Sequence, residues 1–154
     1  PESGHQQVVS VDEVLQGIQV LLHTEAKLND VKLVLHTKPG FYVFGTPQGV
    51  KKIFFNLIFN AMQACQKKGG TVDIETSEEA GFVQGIVNDS GLGLPESESG
   101  DIFEPYVTTK LDGVGLGLTI VKENLRSMQG TIEATNRPEG GAQFTVRMPK
   151  AEKE

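Results

Sequence analysis

Hydrophobic positions recur along the chain with two periods, one near 3.6 residues and one of two. Val14, Leu15, Ile18, Leu21, Leu22 and Ala26 are spaced for one buried face of a helix that begins at Asp12. Ser10 precedes it as an N-cap, with Glu13 three residues on, the capping-box pattern. Two short β-like runs follow at 32–37 and 41–44, parted by the turn pair Pro39-Gly40. A long helix is predicted over 47–67, with Pro47 in the first turn, where its missing N–H is no loss, and Gly69-Gly70 as the stop. Residues 72–76 and 82–87 read as an antiparallel strand pair, and 116–128 as a helix closed by Gly130. Two more strands are predicted at 131–135 and 143–148. Between these elements, 90–114 is rich in Gly, Ser and Pro and has no period, which marks a functional lid or a disordered loop.

The elements alternate without a strict βαβ rhythm. The expected class is therefore α+β, a two-layer sandwich with a mixed sheet of about five strands covered on one face by about three helices. At 154 residues the chain suits one domain over 11–150, preceded by a polar linker at 1–10 and followed by a tail at 151–154. A formal net charge of -6 argues against a duplex nucleic-acid binder. Cys65 is the only cysteine, which rules out a disulfide framework and a cysteine zinc site; it reads as a small buried hydrophobe. No run approaches the roughly 20 apolar residues of a membrane span, and the expectation is a cytoplasmic domain cut from a longer protein.

Three segments carry candidate chemistry. On a wheel of about 100° per residue, Val50, Ile53, Phe54, Leu57, Ile58, Ala61, Ala64 and Cys65 form the core side of the long helix, and Asn56, Asn60, Gln63 and Lys67 fall opposite. A solvated face explains Gln63 and Lys67 but not two asparagines, which are weak helix formers. At i and i+4 they set two neutral carbonyl oxygens side by side, and Mg²⁺ takes hard oxygen ligands together with water and substrate phosphate. From this helix alone the two readings stand level.

The second segment is Asp89-Ser90-Gly91-Leu92-Gly93 at a strand end. A carboxylate there can accept a hydrogen bond from the exocyclic amine of adenine, and glycines let backbone approach a ring; Asp and Gly also make ordinary turns. The third is Gly113-Val114-Gly115-Leu116-Gly117-Leu118, leading into a helix whose N-terminal N–H groups and dipole favour phosphate. It fits neither the dinucleotide fingerprint nor a GxxxxGK[ST] loop, and a structural turn is the plain alternative. Between the two glycine runs lie Phe103-Glu104-Pro105-Tyr106 and Thr108-Thr109-Lys110, with Lys110 the cation best placed to meet phosphate.

In this order the segments resemble the boxes of the ATP-binding domain of sensor histidine kinases, in the superfamily shared with type II topoisomerases, MutL-type repair proteins and a heat-shock chaperone. Asn56 to Ala61 is similar to the N box, Asp89 to Gly93 to the first glycine box, Phe103 to Tyr106 to the F box, and Gly113 to Leu118 to the second glycine box. Gly140-Gly141-Ala142-Gln143-Phe144 resembles the last box, and the agreement runs over 11–149. The helix run around Asn60 and the FEPYVTTK run look most like the nitrogen-regulation subgroup.

The resemblance implies a Bergerat-type fold with a mobile ATP lid over 90–114, Asn60 as Mg²⁺ ligand, and Asn56 assisting at metal or phosphate. It implies Asp89 reading adenine beside Gly91 and Gly93, the triphosphate held at Gly113, Gly115 and Gly117, and Phe103 packing the lid or partner helices. Val114, Leu116 and Leu118 belong to the same phosphate-binding run. Gln63 stands where many members carry a lysine, which leaves Lys67 or Lys110 to supply that charge. Ala142 replaces a frequent threonine.

ATPase relatives place a glutamate one turn before the metal asparagine; this chain has Asn56 there, and an amide is no general base at neutral pH. Phosphoryl transfer rests mostly on positioning and charge stabilisation, so a kinase can leave the nucleophile to its substrate. The implied function is a protein-histidine kinase that binds ATP and Mg²⁺ and phosphorylates a histidine on a dimerisation hairpin, for relay to a response-regulator receiver domain. His5, His23 and His36 lack the phosphoacceptor context, so the isolated domain is expected to be a monomer without its own acceptor. An anti-sigma-factor-type serine kinase and a non-catalytic docking module are the alternatives.

Overall fold

The computed structural model describes residues 5–65, 68–94 and 114–152. In chain order the elements are β1 (Gln7–Ser10), α1 (Val11–Leu28), β2 (Val31–His36), β3 (Tyr42–Gly45), α2 (Pro47–Ala64), β4 (Gly70–Glu79) and β5 (Phe82–Asp89). They are followed by α3 (Val114–Ser127), β6 (Thr131–Asn136) and β7 (Ala142–Ala151). The strands form one sheet in the order β1-β3-β7-β5-β4-β2, with β6 also paired to β7. β2 runs parallel to β4, and the other pairs are antiparallel, so the sheet is mixed as expected.

Among the described residues the sheet has seven strands, where six runs were read as strands and a sheet of about five was expected. The strand absent from the sequence pattern is β1, which lies inside the segment read as a linker. Four residues are too few to display an alternation, and β1 is recognisable only through its register with β3, Val9 opposite Val43. The neighbouring runs β2 and β3 do not pair; β2 is at one end of the sheet order and β3 lies between β1 and β7 near the other.

Period-two alternation decides which side of the sheet meets the helices. Val72 and Ile74 on β4, Val83 and Val87 on β5, and Phe144, Val146 and Met148 on β7 are all buried. Leu15 and Ile18 of α1, Ile53, Phe54, Leu57 and Ile58 of α2, and Val121 and Leu125 of α3 belong to the same core. Each such side chain contributes about 1.5–3 kcal/mol by leaving water. Of the intervening strand residues, Asp73, Gln84 and Gln143 are half-buried and Glu75 and Arg147 exposed.

Caps set the helix limits. Ser10 Oγ accepts from Glu13 N at 3.2 Å, and Thr46 Oγ1 accepts from Gly49 N at 2.9 Å, each satisfying a first-turn donor. α2 stops at Ala64 with Cys65 as C-cap, sooner than the pattern predicts. At the end of α3 the left-handed residue is Gln129, at φ 61, rather than Gly130. Gly130 is required for a different reason: a Cβ there would stand 2.6 Å from Arg147 O on β7. Among the described residues, no helix is long and apolar enough to cross a membrane.

Candidate functional site

The polar stripe of α2 is not a solvated face. Asn56, Asn60 and Gln63 are all half-buried, flanked by the stacked rings of Phe55 and Phe59 with centroids 5.9 Å apart. Asn56 donates its side-chain nitrogen to Lys52 O at 2.8 Å, which commits the nitrogen and not the oxygen. The Asn60 Nδ2 is buried and has no hydrogen-bond partner among the described residues. A buried donor in that state costs about 1–3 kcal/mol, so the position is set by something other than the stability of the empty fold. Its amide can offer an oxygen to a hard cation and its orphaned N–H to a phosphate oxygen, which fits a Mg²⁺-nucleotide group.

At the end of β5 the chain buries a carboxylate. Asp89 is 2% exposed. An ion held out of water needs compensating hydrogen bonds, and Asp89 Oδ1 accepts them from Gly91 N at 2.8 Å and Ala142 N at 3.3 Å. The contact at the last glycine box therefore comes from the backbone of Ala142, where a threonine would have added a hydroxyl. Ser90 continues the strand pairing by donating N–H to Thr71 O at 3.1 Å and accepting on Oγ from Thr71 N at 2.9 Å.

Gly91 draws this loop against α2: a Cβ there would stand 2.5 Å from the carbonyl carbon of Ala64, one turn beyond Asn60. Gly93 has φ +84, a conformation that favours glycine, and a Cβ there would stand 2.8 Å from Asn136 Oδ1. Both glycines thus have a packing role in the free domain, beside the room for a ring expected of them. Cys65 sits at the same junction, and burial pushes its thiol up from the usual value of 9.0, helped by the charge of Asp89 and opposed by hydrogen bonds from Ser90.

α3 begins at Val114, and Val114, Gly115, Leu116 and Gly117 make its first turn, two residues sooner than predicted. The N–H groups of such a turn have no partner within the helix. Leu118 is 4% exposed and belongs to the core, so only its backbone could face a ligand. α2 and α3 pack side by side. Lys67, Phe103, Lys110 and Gly113, all named from the sequence, lie outside the described residues.

The structure thus sets Gly91, tethered to Asp89, against Ala64 one turn beyond Asn60, with Asn56 one turn further back and Gly93 against Asn136. Two further participants had no signal in the sequence. Arg137 donates from Nη1 to the main-chain oxygen of Asp89 at 2.8 Å, and Asn136 Oδ1 accepts from Leu94 N at 2.7 Å. Asn136 ends β6 and Arg137 follows it at the hairpin turn, where an asparagine or arginine reads as solvated.

Residues 45–152 match the family model described as histidine kinase-, DNA gyrase B-, and HSP90-like ATPase, and the chain belongs to that family. Within it the chain is an ATP-binding domain of the sensor-histidine-kinase type. Sporulation kinase A of Bacillus subtilis (strain 168) is 35% identical over 143 residues, covering 92% of this chain and 23% of that protein. The chain therefore spans about a quarter of that curated relative's length. The nucleotide-free catalytic domain of histidine kinase ThkA superposes with a TM-score of 0.85 at 26% identity, covering 95% of this chain and 96% of that one. Full-length ShkA, solved with AMPPNP, gives a TM-score of 0.85 at 25% identity over 98% of this chain and 32% of its own.

Proposed function

We propose that this domain binds Mg-ATP between α2, the end of β5 and the first turn of α3, and acts as the catalytic part of a longer histidine kinase. Asn60 would hold Mg²⁺, with Asn56 supporting the phosphates or the metal, and the cation when bound would offset the charge of the triphosphate. Asp89 accepts the exocyclic amine of adenine, Gly91 and Gly93 bound the base, and Gly113, Gly115 and Gly117 support the triphosphate with backbone N–H groups. Lys110 or Lys67 supplies the further positive charge. The single observation that carries this reading is a buried, backbone-tethered Asp89 in the same domain as a buried amide donor on Asn60 that has no partner among the described residues.

The reaction is transfer of the γ-phosphoryl group: the bond from γ-phosphorus to the β–γ bridging oxygen breaks, a bond to an imidazole nitrogen forms, and ADP leaves. The α2 stripe carries Asn56 where a water-activating carboxylate would be needed for hydrolysis, so the nucleophile is supplied by the acceptor. That acceptor is a histidine on a separate helical hairpin, and the phosphoryl group passes on to a receiver domain in the cytoplasm. The solved complex of ThkA with the response regulator TrrA supports such a partner. Kinship with the nitrogen-regulation subgroup rests on the NAMQA and FEPYVTTK runs alone.

The test is calorimetry with Mg-ATP on the wild-type chain and on Asp89→Asn, followed by transfer from γ-labelled ATP to the hairpin of the same longer protein supplied in trans. Binding by wild type only, and acid-labile label on the hairpin, are expected. Acid-stable label would point to a serine kinase. Binding without any transfer would leave a docking module, and no binding at millimolar ATP would overturn the reading.

A further inference from the structure

Adjacent residues of the β6–β7 hairpin hold both ends of the segment that leaves β5. Arg137 Nη1 binds the Asp89 main-chain oxygen at 2.8 Å. Asn136 takes both backbone groups of Leu94, accepting from its N at 2.7 Å and donating to its O at 3.4 Å. Between them Gly141, at φ +90, lies so close that a Cβ would stand 2.7 Å from the carbonyl carbon of Asp89 and 3.0 Å from Ser90 Cα.

The hairpin itself does not need these side chains. Its turn is closed by backbone bonds, Arg137 N to Gly141 O at 2.8 Å and Gly140 N to Arg137 O at 3.0 Å. The ion pair of Arg137 with Glu139, at 3.3 Å, ends on a carboxylate 65% exposed, and pairs of that kind hold little. Among the described residues the other bond of the guanidinium is the one to Asp89, and a cationic donor on a carbonyl is among the stronger hydrogen bonds.

We propose that Arg137 and Asn136 are positioning residues for base recognition, clasping 89–94 so that the Asp89 carboxylate is already aimed when the nucleotide arrives. The proposal rests on the reading of Asp89 given above. A site that must be aligned during binding loses affinity to the ordering, and one held in place does not.

Dissociation constants are to be measured by calorimetry for ATP and for purine riboside triphosphate, which lacks the 6-amino group. The proteins are wild type, Arg137→Ala, Arg137→Lys, Asn136→Ala and Glu139→Ala. Wild type should prefer ATP. Arg137→Ala should bind ATP about tenfold more weakly, a loss of one charge-assisted bond at the low end of its range, while the purine analogue changes by less than about threefold. Arg137→Lys, which keeps a cationic donor, should recover part of the preference; Asn136→Ala should lose part of it, and Glu139→Ala none. An unchanged preference in Arg137→Ala and Asn136→Ala, or an equal loss for both nucleotides, overturns the clasp. If Arg137→Ala does not give a cooperative thermal transition, Arg137→Gln takes its place in the same comparison. A wild type that binds the two nucleotides equally overturns the Asp89 reading and the clasp with it, whereas a wild type that discriminates leaves the variants to decide the clasp alone.

Discussion

Replacing Asn60 by leucine should make the free domain more stable and the nucleotide-loaded domain less so. The amide nitrogen is buried without a partner among the described residues, and an unsatisfied donor of this kind costs about 1–3 kcal/mol. Leucine has the same branched skeleton of four side-chain heavy atoms, is bulkier, removes that donor and adds apolar surface at a position that is already half-buried beside the core. Allowing for imperfect fit, a gain of about 1 kcal/mol is expected, which for a domain of this size raises the thermal midpoint by about 2–4 °C. With Mg-ATP at about a hundredfold over its dissociation constant, the wild type should gain about 2.7 kcal/mol from mass action and the variant little. The order of the two midpoints should therefore reverse when nucleotide and magnesium are added. Thermal denaturation followed by circular dichroism, with and without Mg-ATP, measures both. A variant less stable than wild type without nucleotide would refute the orphaned donor. A variant that gains as much as wild type from Mg-ATP would refute Asn60 as part of the site.

Two further expectations concern the core and the junction beneath the loop. Gly85→Ala would set a Cβ 2.6 and 2.8 Å from Cε1 and Cζ of the fully buried Phe54 ring, so urea denaturation should show about 1–3 kcal/mol of destabilisation. The raised Cys65 thiol stays protonated in the fold at a pH where the unfolded chain has already ionised it. From about its ordinary value of 9.0 upward to the raised one, stability should therefore fall as pH rises. A Cys65→Ala variant followed by thermal melting at several pH values should lack that slope, and an identical slope would count against the shift.

The first two helices were legible in the sequence because their apolar faces are long: six and eight residues at a 3.6 period leave little choice of partner surface. The boxes were legible because they carry residues that local structure does not favour, asparagines in a helix and glycines beside one. Other features depend on contacts between distant segments. β1 exists through its register with β3, Gly130 is required by a backbone oxygen on β7, and Arg137 matters through a carbonyl on β5. None of these leaves a trace in a window of ten residues. The helix start at Val114 was missed for a related reason, since two glycines in the first turn weaken the local helical signal.

The last strand has a consequence for how the molecule forms. β7 pairs along one edge with β6 through Ala142 to Arg147 and with β3 through Lys150 and Ala151, while β5 takes the other edge. The β1–β3 pair joins the rest of the sheet through two register positions only, Tyr42 with Ala151 and Val43 with Lys150. These contacts close a loop of roughly a hundred residues, a slow and entropically late step. A chain that has not yet docked β7 leaves β5 with a bare edge, and its Asp89 carboxylate lacks the N–H of Ala142. The pairing of β7 with β5 and the second tether of the Asp89 carboxylate therefore form together, and until then the carboxylate has only the N–H of Gly91 of these two donors.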